Sequence, residues 1–537
     1  MVFIKSLKDQ TWLFPPAIED LILEDHVCFL VENFIDSLDF STFEEKYNGA
    51  GHPAYHPRII LKLLIMGVID KVRSSRRLAK NARENVVYMY LAEKLTPDFR
   101  TISDFRKDNH DLIKMVFKHT VHLARKEGML DLSHLSTDGT KIKANAADKR
   151  IFTKEELEFL MKFVEKELAT WAAQDSLEDD FFDNIRGSDQ LPGSSKKRVK
   201  SAVKHYIEEL KEKGEMSRTK IEAKLEKAHQ EVEKNDLEKV STTDPECRFM
   251  KSKKGRIELS YNFQVTADQN GFIVANDVTD SSADTHQLKP MVVQTEQNIE
   301  KIPEKTKWSF DSGYSDGENL RFLIDKKIDA YIPVQKKGIE NQYDKSNFIY
   351  DKEKDEYMCP MGKSLIFSTE YFDKVKNKLI RKYRGIDCER CLNQKECTRT
   401  KHGIRIVNRY PYENERNAMD RKMQMSESKD IYKLRKEIVE PVFGDIKENK
   451  GIKGFLTRGL NLAKTEMNLA SIARNINRFH FRKNISVDSL CETNDFNTLI
   501  LIFKFSFLIG NIWRRNYELS DSLFSRGERL NNVGVFL

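Results

Sequence analysis

The chain has 537 residues, 39% of them hydrophobic, and its 91 basic and 84 acidic side chains leave a formal charge of +7. It is too long for one compact domain and apolar enough for real cores, so a multidomain protein of about two to four units is expected. Met1 to Pro15 lacks a basic-then-apolar signal pattern, and the longest apolar run, Leu499 to Ile512, is interrupted by Lys504 and falls short of the roughly 20 residues of a bilayer span, which points to a cytoplasmic protein with no membrane partner.

Residues 1 to about 130 carry helical periodicity. Pro57, a favoured first helical residue, precedes Ile59, Ile60, Leu63, Leu64, Gly67 and Val68 at helical spacing. Arg73, Arg76, Arg77, Lys80 and Arg83 then crowd around Ser74 and Ser75, a candidate cap, giving a helix whose cations suit a phosphate backbone or, more blandly, a solvated basic face. Thr101 and Asp104 open a further helix running through Phe105 to Leu123.

From His134 to Ala146 the sequence turns to β-branched and small residues, with Asp138-Gly139 as a bend; taken alone, the segment reads as an ordinary hairpin turn. Residues 152 to about 240 return to charged helix. An amphipathic helix spans Glu155 to Trp171, an acidic patch Asp175 to Asp183, a loop Gly187 to Ser195, and one long Lys/Glu-rich helix begins at Lys196 and ends near Val240. That composition resembles a coiled-coil insertion and not a core.

Strands resume at Ile257, where Tyr261, Phe263 and Val265 alternate with polar residues; a turn at Asp268 to Gly271 returns the chain through Phe272 to Val278. A helix through Leu288, Met291, Val292, Thr295 and Ile299 leads to the segment Ser309 to Val334. There Trp308 and Phe310 form a short strand closed by Asp311, Gly313 permits a sharp turn, Ser315 and Glu318 have capping-box spacing, and Ile328, Ala330 and Ile332 make a second strand. A carboxylate at the carboxyl end of such a strand sits where α/β folds place chemistry, so Asp311 is the first site candidate. The expectation is an α/β core with a mixed sheet flanked by helices.

The seven cysteines form an odd set, and four of them, Cys359, Cys388, Cys391 and Cys397, fall in one insertion between about 337 and 410. Two separated thiolate pairs in a loop-rich segment suit tetrahedral zinc better than four unrelated buried thiols. Beyond it, Ile431, Leu434 and Ile438 stripe a helix in which Glu440 precedes Pro441, where a kink or restart is expected. Lys436 and Lys447 share a face with Glu440 on a continuous helix. Phe455 to Phe479 forms another helix, and Phe496 to Ile512 reads as a buried helix or an alternative terminal packing.

Asp138, Asp311 and Glu440 are three acids that would repel one another unless cations were present, which implies magnesium or manganese bound through oxygen. Two such ions about 3.5 to 4 Å apart support in-line phosphoryl transfer. These residues, with Tyr55-His-Pro-Arg, Ser-Thr-Asp138-Gly-Thr, Asp311-Ser-Gly-Tyr and the run from Tyr432 through Val-Glu440-Pro-Val-Phe-Gly to Lys447, resemble a bacterial insertion-sequence transposase of the DDE class over residues 20 to 480. The resemblance implies a ribonuclease-H-like catalytic core and a metal-binding triad of Asp138, Asp311 and Glu440. It implies phosphate contacts from Tyr432, Arg435, Lys436 and Lys447, although Tyr432 and Arg435 each stand one residue too far from Glu440, and Lys436 holds the spacing expected of the arginine. Some relatives stack a flipped base on a tryptophan, for which Trp171 and Trp308 are the candidates here, Trp308 fitting a core position better.

The resemblance also divides the chain into domains. A helical DNA-binding domain covers 1–130 and the first core strand 131–151; a charged helical insertion takes 152–245 and the core strands and helices 246–336. The zinc-ribbon-like insertion takes 337–412, the C-terminal catalytic helices 413–485 and a tail 486–537. The implied activity is metal-dependent cleavage at terminal inverted repeats and strand transfer into target DNA by a nucleoid-associated homodimer or larger synaptic assembly. A DNA nuclease without strand transfer and a catalytically silent, transposase-derived DNA-binding protein are the alternatives.

Overall fold

The computed structural model describes residues 17–44, 54–173, 181–252, 255–334, 342–374 and 377–491. The chain divides into two compact units, Met1–Asn477 and Arg478–Leu537, and every sheet among the described residues belongs to the first.

Helices α1 (Val27–Asp36), α2 (Pro57–Ile69), α3 (Ser75–Glu84), α4 (Val86–Leu91), α5 (Phe99–Asp108) and α6 (His110–Lys126) build the first region. Pro57 occupies the first turn of α2, the His56 ring caps it by accepting from the Arg58 N–H, and nearly every residue of the helix is buried. The single helix expected from Thr101 to Leu123 is two. The Asp98 carboxylate starts α5 by accepting from the N–H groups of Arg100 and Thr101, and Asn109 ends it by donating its side-chain amide to the Phe105 carbonyl.

Strand β1 (His134–Lys143) runs unbroken through Asp138-Gly139, contrary to the expected bend. It is held on both sides, antiparallel to one strand from Leu135↔Asp268 to Lys143↔Ser260 and parallel to another from His134↔Lys307 to Thr137↔Phe310. Two flanking ladders outweigh the turn preference of Asp-Gly.

The first insertion leaves and re-enters through the ladder of β2 (Ile151–Phe152) and β3 (Val240–Ser241). Between them lie α7 (Lys154–Lys166), α8 (Leu168–Ala172), α9 (Gly193–Lys213) and α10 (Glu215–Asn235). A Thr153/Glu156 capping box opens α7. The expected Glu155–Trp171 helix is interrupted at Glu167, and the expected long Lys/Glu helix breaks at Gly214, whose φ of +68° needs glycine. The insertion also has its own core, including Leu157, Phe163, Val203, Ile207, Leu225 and Val232. Trp171 packs against it and donates its indole N–H to Glu167. Of the acidic patch, 175–180 lies outside the described residues, and Phe181–Asn184 is a short 3-10 turn.

The main sheet comprises β1, β4 (Arg248–Lys251), β5 (Ile257–Asp268), β6 (Ile273–Thr279), β7 (Lys307–Phe310) and β8 (Asp329–Tyr331). β4 and β6 share one edge of β5, and the order continues β5-β1-β7-β8, with β1, β7 and β8 parallel to one another. β4 has too few residues and too many cations for the alternation pattern to reveal it. Helix α11 (Leu288–Ile299) packs on β5 and β6. Helix α12 (Gly317–Asp325) follows a 3-10 turn at Ser312–Tyr314, and its cap is Asp316, accepting from the Glu318 N–H, in place of the expected Ser315. Trp308 is fully buried in the sheet's core and donates to Thr137 Oγ1 at 2.8 Å.

The second insertion is a five-stranded antiparallel sheet in the order β13-β12-β11-β10-β9, where β9 is Ile349–Asp351, β10 Glu356–Met358, β11 Ser364–Asp373, β12 Lys378–Gly385 and β13 Ile406–Arg409. Phe348, Tyr357, Leu365, Tyr383 and Val407 form its small core. Helices α13 (Glu413–Gln424), α14 (Ser426–Gly444) and α15 (Leu460–Cys491) are the last described elements. The helix does not restart at Pro441: α14 continues through it to Gly444, and a π turn follows over Asp445–Asn449. The last helix starts at Leu460 and not near Phe455, because Asp244 and Glu246 accept the Gly459 and Leu460 N–H groups from far along the chain. The Phe496–Ile512 segment lies outside the described residues. Among the described residues no helix is long and apolar enough to cross a membrane.

Candidate active site

The parallel register of β1 and β7 ends at Thr137↔Phe310, so the next residue on each strand, Asp138 and Asp311, stands beside the other. Strand alternation puts Asp138 on the face that carries His134, Ser136 and Thr140. Helix α14 lies across β1, β5 and β7 on this face, with the Phe443 ring against that of Phe263.

From α14, Arg435 reaches into the pair. Its Nη2 lies 2.9 Å from Asp138 Oδ2 and 3.6 Å from Asp311 Oδ1. Asp138 also accepts the Gly139 N–H at 2.8 Å. The Asp138 and Arg435 side chains are 10% and 9% exposed, whereas Asp311 is 44% exposed, so the site opens to solvent on the Asp311 side. Burial works against the Arg435 charge, but Asp138, Tyr432 and Asp311 outweigh it and hold the guanidinium protonated. Arg435 Nε is buried without a hydrogen-bond partner. The Tyr432 hydroxyl stands 3.5 Å from Asp311 Oδ1; burial, with Asp311 and Asp138 adding to it against Arg435, pushes the phenol up to about 12.

Lys447, within the π turn, donates to Thr140 Oγ1 at 2.6 Å and approaches the Lys141 carbonyl at 3.4 Å, two and three residues past Asp138. Glu440 is exposed on α14 and makes no hydrogen bond or ion pair with any described residue; Lys436 is exposed as well. The fold therefore brings Asp138, Asp311, Arg435 and Tyr432 together, sets Lys447 against the same strand, and leaves Glu440 outside that contact set. Among the described residues no three His, Cys, Asp or Glu side chains stand close enough together to hold a metal.

Two residues escaped the sequence reading. His134 joins β1 to β7 through Nε2 and Ser309 Oγ, 2.7 Å apart, and burial, with Lys307 nearby, pushes its ring down to about 4. Asp284, in the loop after β6, sits behind β1; the run Asp-Ser-Ser-Ala-Asp-Thr around it reads only as a loop.

The basic residues on and just before α3 divide. Arg73 is spent internally, donating to the carbonyls of Gly451 and Gly454 at 3.3 and 3.0 Å and pairing with Glu466 at 2.5 Å. Arg76, Arg77, Lys80 and Arg83 are exposed, with Arg76 over the Phe99 ring and Lys80 3.5 Å from Glu84.

Cys359, Cys388, Cys391 and Cys397 all line one cavity of about 30 Å³. The Lys363 N–H donates to Cys359 Sγ at 3.4 Å. Burial raises the Cys397 thiol; Arg405 opposes this and the other three sulfurs add to it.

A helical region followed by a mixed sheet, with paired aspartates where the parallel ladder of β1 and β7 ends, is consistent with the core of a DDE enzyme. Residues 358–480 match the family model of a transposase DDE domain, and residues 16–108 match that of a transposase domain (DUF772). Together they mark the chain as an insertion-sequence transposase of the DDE class. The first match spans the four cysteines and Tyr432 to Lys447, with Asp138 and Asp311 upstream of it; the second spans the basic helix α3. The search of curated proteins found no match.

Proposed function

We propose that this transposase binds the terminal inverted repeats of its own element, cleaves DNA there and joins the 3′ ends to target DNA. The observation that carries the reading is the juxtaposition of Asp138 and Asp311 around one shared positive charge where the parallel ladder of β1 and β7 ends. The strand order β5-β1-β7-β8, with β5 antiparallel to the rest, supports a ribonuclease-H-like core. Asp138 and Asp311 offer hard oxygen donors around a position where a cation already rests, which fits magnesium or manganese, and Glu440 is the third ligand in this reading. A bound divalent pair would supply an activated water or 3′-hydroxyl and neutralise the leaving oxygen. The chain's own part is to hold the two carboxylates at fixed spacing, keep the Tyr432 phenol protonated beside them, and present Lys447, Lys436 and Arg435 to phosphate.

The exposed cations Arg76, Arg77, Lys80 and Arg83 form the duplex-binding face of a helical N-terminal domain over residues 1–130. The four cysteines that share a cavity form a structural zinc site once their sulfurs draw together around the ion. Synapsis of two ends calls for a homodimer or larger assembly, and binding to DNA would place the protein at the nucleoid. The catalytic core is then assembled from 131–151, 246–336 and 413–485, with 152–245 and 337–412 as insertions that each have a core of their own.

The test is magnesium-dependent cleavage and joining of labelled DNA carrying the element's ends, comparing wild type with Asp311→Ala. Joined products from the wild type alone support the reading. Cleavage without joining favours a nuclease, and metal-independent binding with neither reaction favours a silent DNA-binding protein.

A further inference from the structure

On the face of the sheet opposite Arg435, one carboxylate bonds β1 and β5 behind Asp138 and lies behind the turn that follows Asp311. Asp284 Oδ1 accepts from Lys141 Nζ on β1 at 3.2 Å and from Asn262 Nδ2 and Gln264 Nε2 on β5 at 2.7 and 2.8 Å. Gln264 in turn accepts the hydroxyl of the fully buried Tyr314, three residues past Asp311. Asp284 fills the space behind the residue next to Asp138: a Cβ on Gly139 would meet Gln264 Nε2 at 2.4 Å and Asp284 Oδ1 at 2.7 Å. It also backs the turn after Asp311, since a Cβ on Gly313 would lie 3.4 Å from Asp284 Oδ2. The adjacent Thr285 donates its hydroxyl to the Gly313 carbonyl at 3.0 Å, and Asn319 ties the Thr285 and Tyr314 carbonyls together at 2.7 and 3.0 Å.

We propose that Asp284 is a positioning residue that sets the separation of Asp138 and Asp311 from behind the sheet. This rests on the reading of those aspartates as metal ligands. Asp284 does not face the open side of the site. It acts because its three donors belong to β1 and β5 while its other oxygen abuts the Asp311 turn. Without it those donors lose a shared acceptor within a buried polar network, and β1 and the Asp311 turn lose the body that spaces them.

The test titrates Mn²⁺ by electron paramagnetic resonance into the full chain without DNA, and measures end cleavage against Mg²⁺ at saturating DNA. It compares wild type, Asp284→Ala and Asp284→Asn; Asn retains the shape and one acceptor oxygen. Asp284→Ala is expected to weaken Mn²⁺ binding by about tenfold and slow cleavage by roughly 10- to 100-fold, with DNA affinity in the absence of metal unchanged within about twofold. Asp284→Asn should recover most of both. Wild-type metal binding and cleavage in Asp284→Ala would overturn the proposal, as would parallel loss of DNA affinity, metal binding and thermal midpoint in both variants. A wild type that binds Mn²⁺ more tightly than Asp284→Ala yet cleaves nothing would leave the positioning role standing and remove the transposition reading. A wild type that binds no Mn²⁺ would remove both.

Discussion

Replacing Arg435 with methionine should make the protein less stable without metal and better at binding it. The Arg435–Asp138 contact is a buried pair at 2.9 Å, both side chains about nine-tenths covered, while Asp311 at 3.6 Å is 44% exposed and its share is discounted for solvent screening. At an effective dielectric of about 20 the attraction at that distance is on the order of 6 kcal/mol before desolvation. Desolvation consumes much of it, and removing one partner of a buried pair costs about 3–5 kcal/mol because the other charge is left uncompensated. A metal ion approaching the wild type must displace the guanidinium; in Arg435→Met it meets two carboxylates with no guanidinium between them. If only about 3 kcal/mol of pairing is relieved, metal affinity rises by roughly 100-fold, since each 1.4 kcal/mol is tenfold. Urea unfolding with and without 10 mM MgCl₂ (about 2.7 kcal/mol of stabilisation where that equals 100 Kd) should show a lower midpoint for the variant without metal and a larger gain with it. Mn²⁺ titration of DNA-free protein gives the affinity directly. Equal or weaker Mn²⁺ binding in Arg435→Met would refute the claim that Arg435 holds the site's cation position.

Other expectations rest on single groups. The His134 ring is pushed down to about 4 by burial, while the unfolded chain protonates near 6.5. Its contribution is therefore intact above about pH 6.5 and falls by about 3 kcal/mol as pH drops toward 4; His134→Gln, which can still bond Ser309, should flatten the pH dependence of urea midpoints over that window, and an unchanged slope would count against it. Substituting Arg76, Arg77, Lys80 and Arg83 together by Gln should lower the log–log salt slope of duplex binding by about 3.6, at roughly 0.9 per phosphate contact. Arg73→Gln, whose partners are internal, should lower the melting temperature and leave that slope alone; an unaltered slope in the quadruple variant would return α3 to a solvated basic face. Elemental analysis should find one zinc per wild-type chain and none in Cys391→Ser, with faster proteolysis across 355–400; a zinc-free wild type would remove that site.

Period and punctuation carried much of the architecture. The helical start, the alternation of Tyr261, Phe263 and Val265, and the strand–turn–helix around Asp311 were legible because each is set by neighbours within a few residues. What failed was set by partners far away. Asp138-Gly139 has turn chemistry, yet two flanking strands hold it extended, and Gly139 is needed for the space that Asp284 and Gln264 occupy behind it. Asp244 and Glu246 cap a helix more than 200 residues downstream, which no local window contains. The core of the first insertion was hidden for another reason: Ile221, Leu225, Ala228 and Val232 recur at helical spacing, but Lys and Glu surround them and dominate the composition. In the site, Asp138 and Asp311 could be named as candidates from sequence. That Arg435 would lie between them depends on how α14 rolls on the sheet, and Asp284 enters only through tertiary packing.

The five-residue interval between Arg435 and Glu440 has a geometric consequence that gives Glu440 a separate test. On a helix with 3.6 residues per turn, each step rotates by about 100°, so five steps place Glu440 about 140° from Arg435, whereas four would leave about 40°. α14 is helical without interruption between them, and its π turn comes only at Asp445, so nothing compensates for the extra residue. With Arg435 aimed at the aspartates, Glu440 turns away from them, in keeping with its exposure and lack of partners among the described residues. Its carboxylate can complete a metal site only when α14 rolls or DNA draws the groups together. Glu440→Gln should therefore leave Mn²⁺ binding to DNA-free protein within about threefold of wild type while reducing end cleavage by at least about 100-fold, the order expected when a group required only in the transition state is lost. Asp138→Asn should reduce both. If Glu440→Gln abolished Mn²⁺ binding without DNA, Glu440 would be a preformed ligand and this rotation argument would fail. Wild-type cleavage in Glu440→Gln would take it out of the triad and leave the paired aspartates as the chemical core of the site.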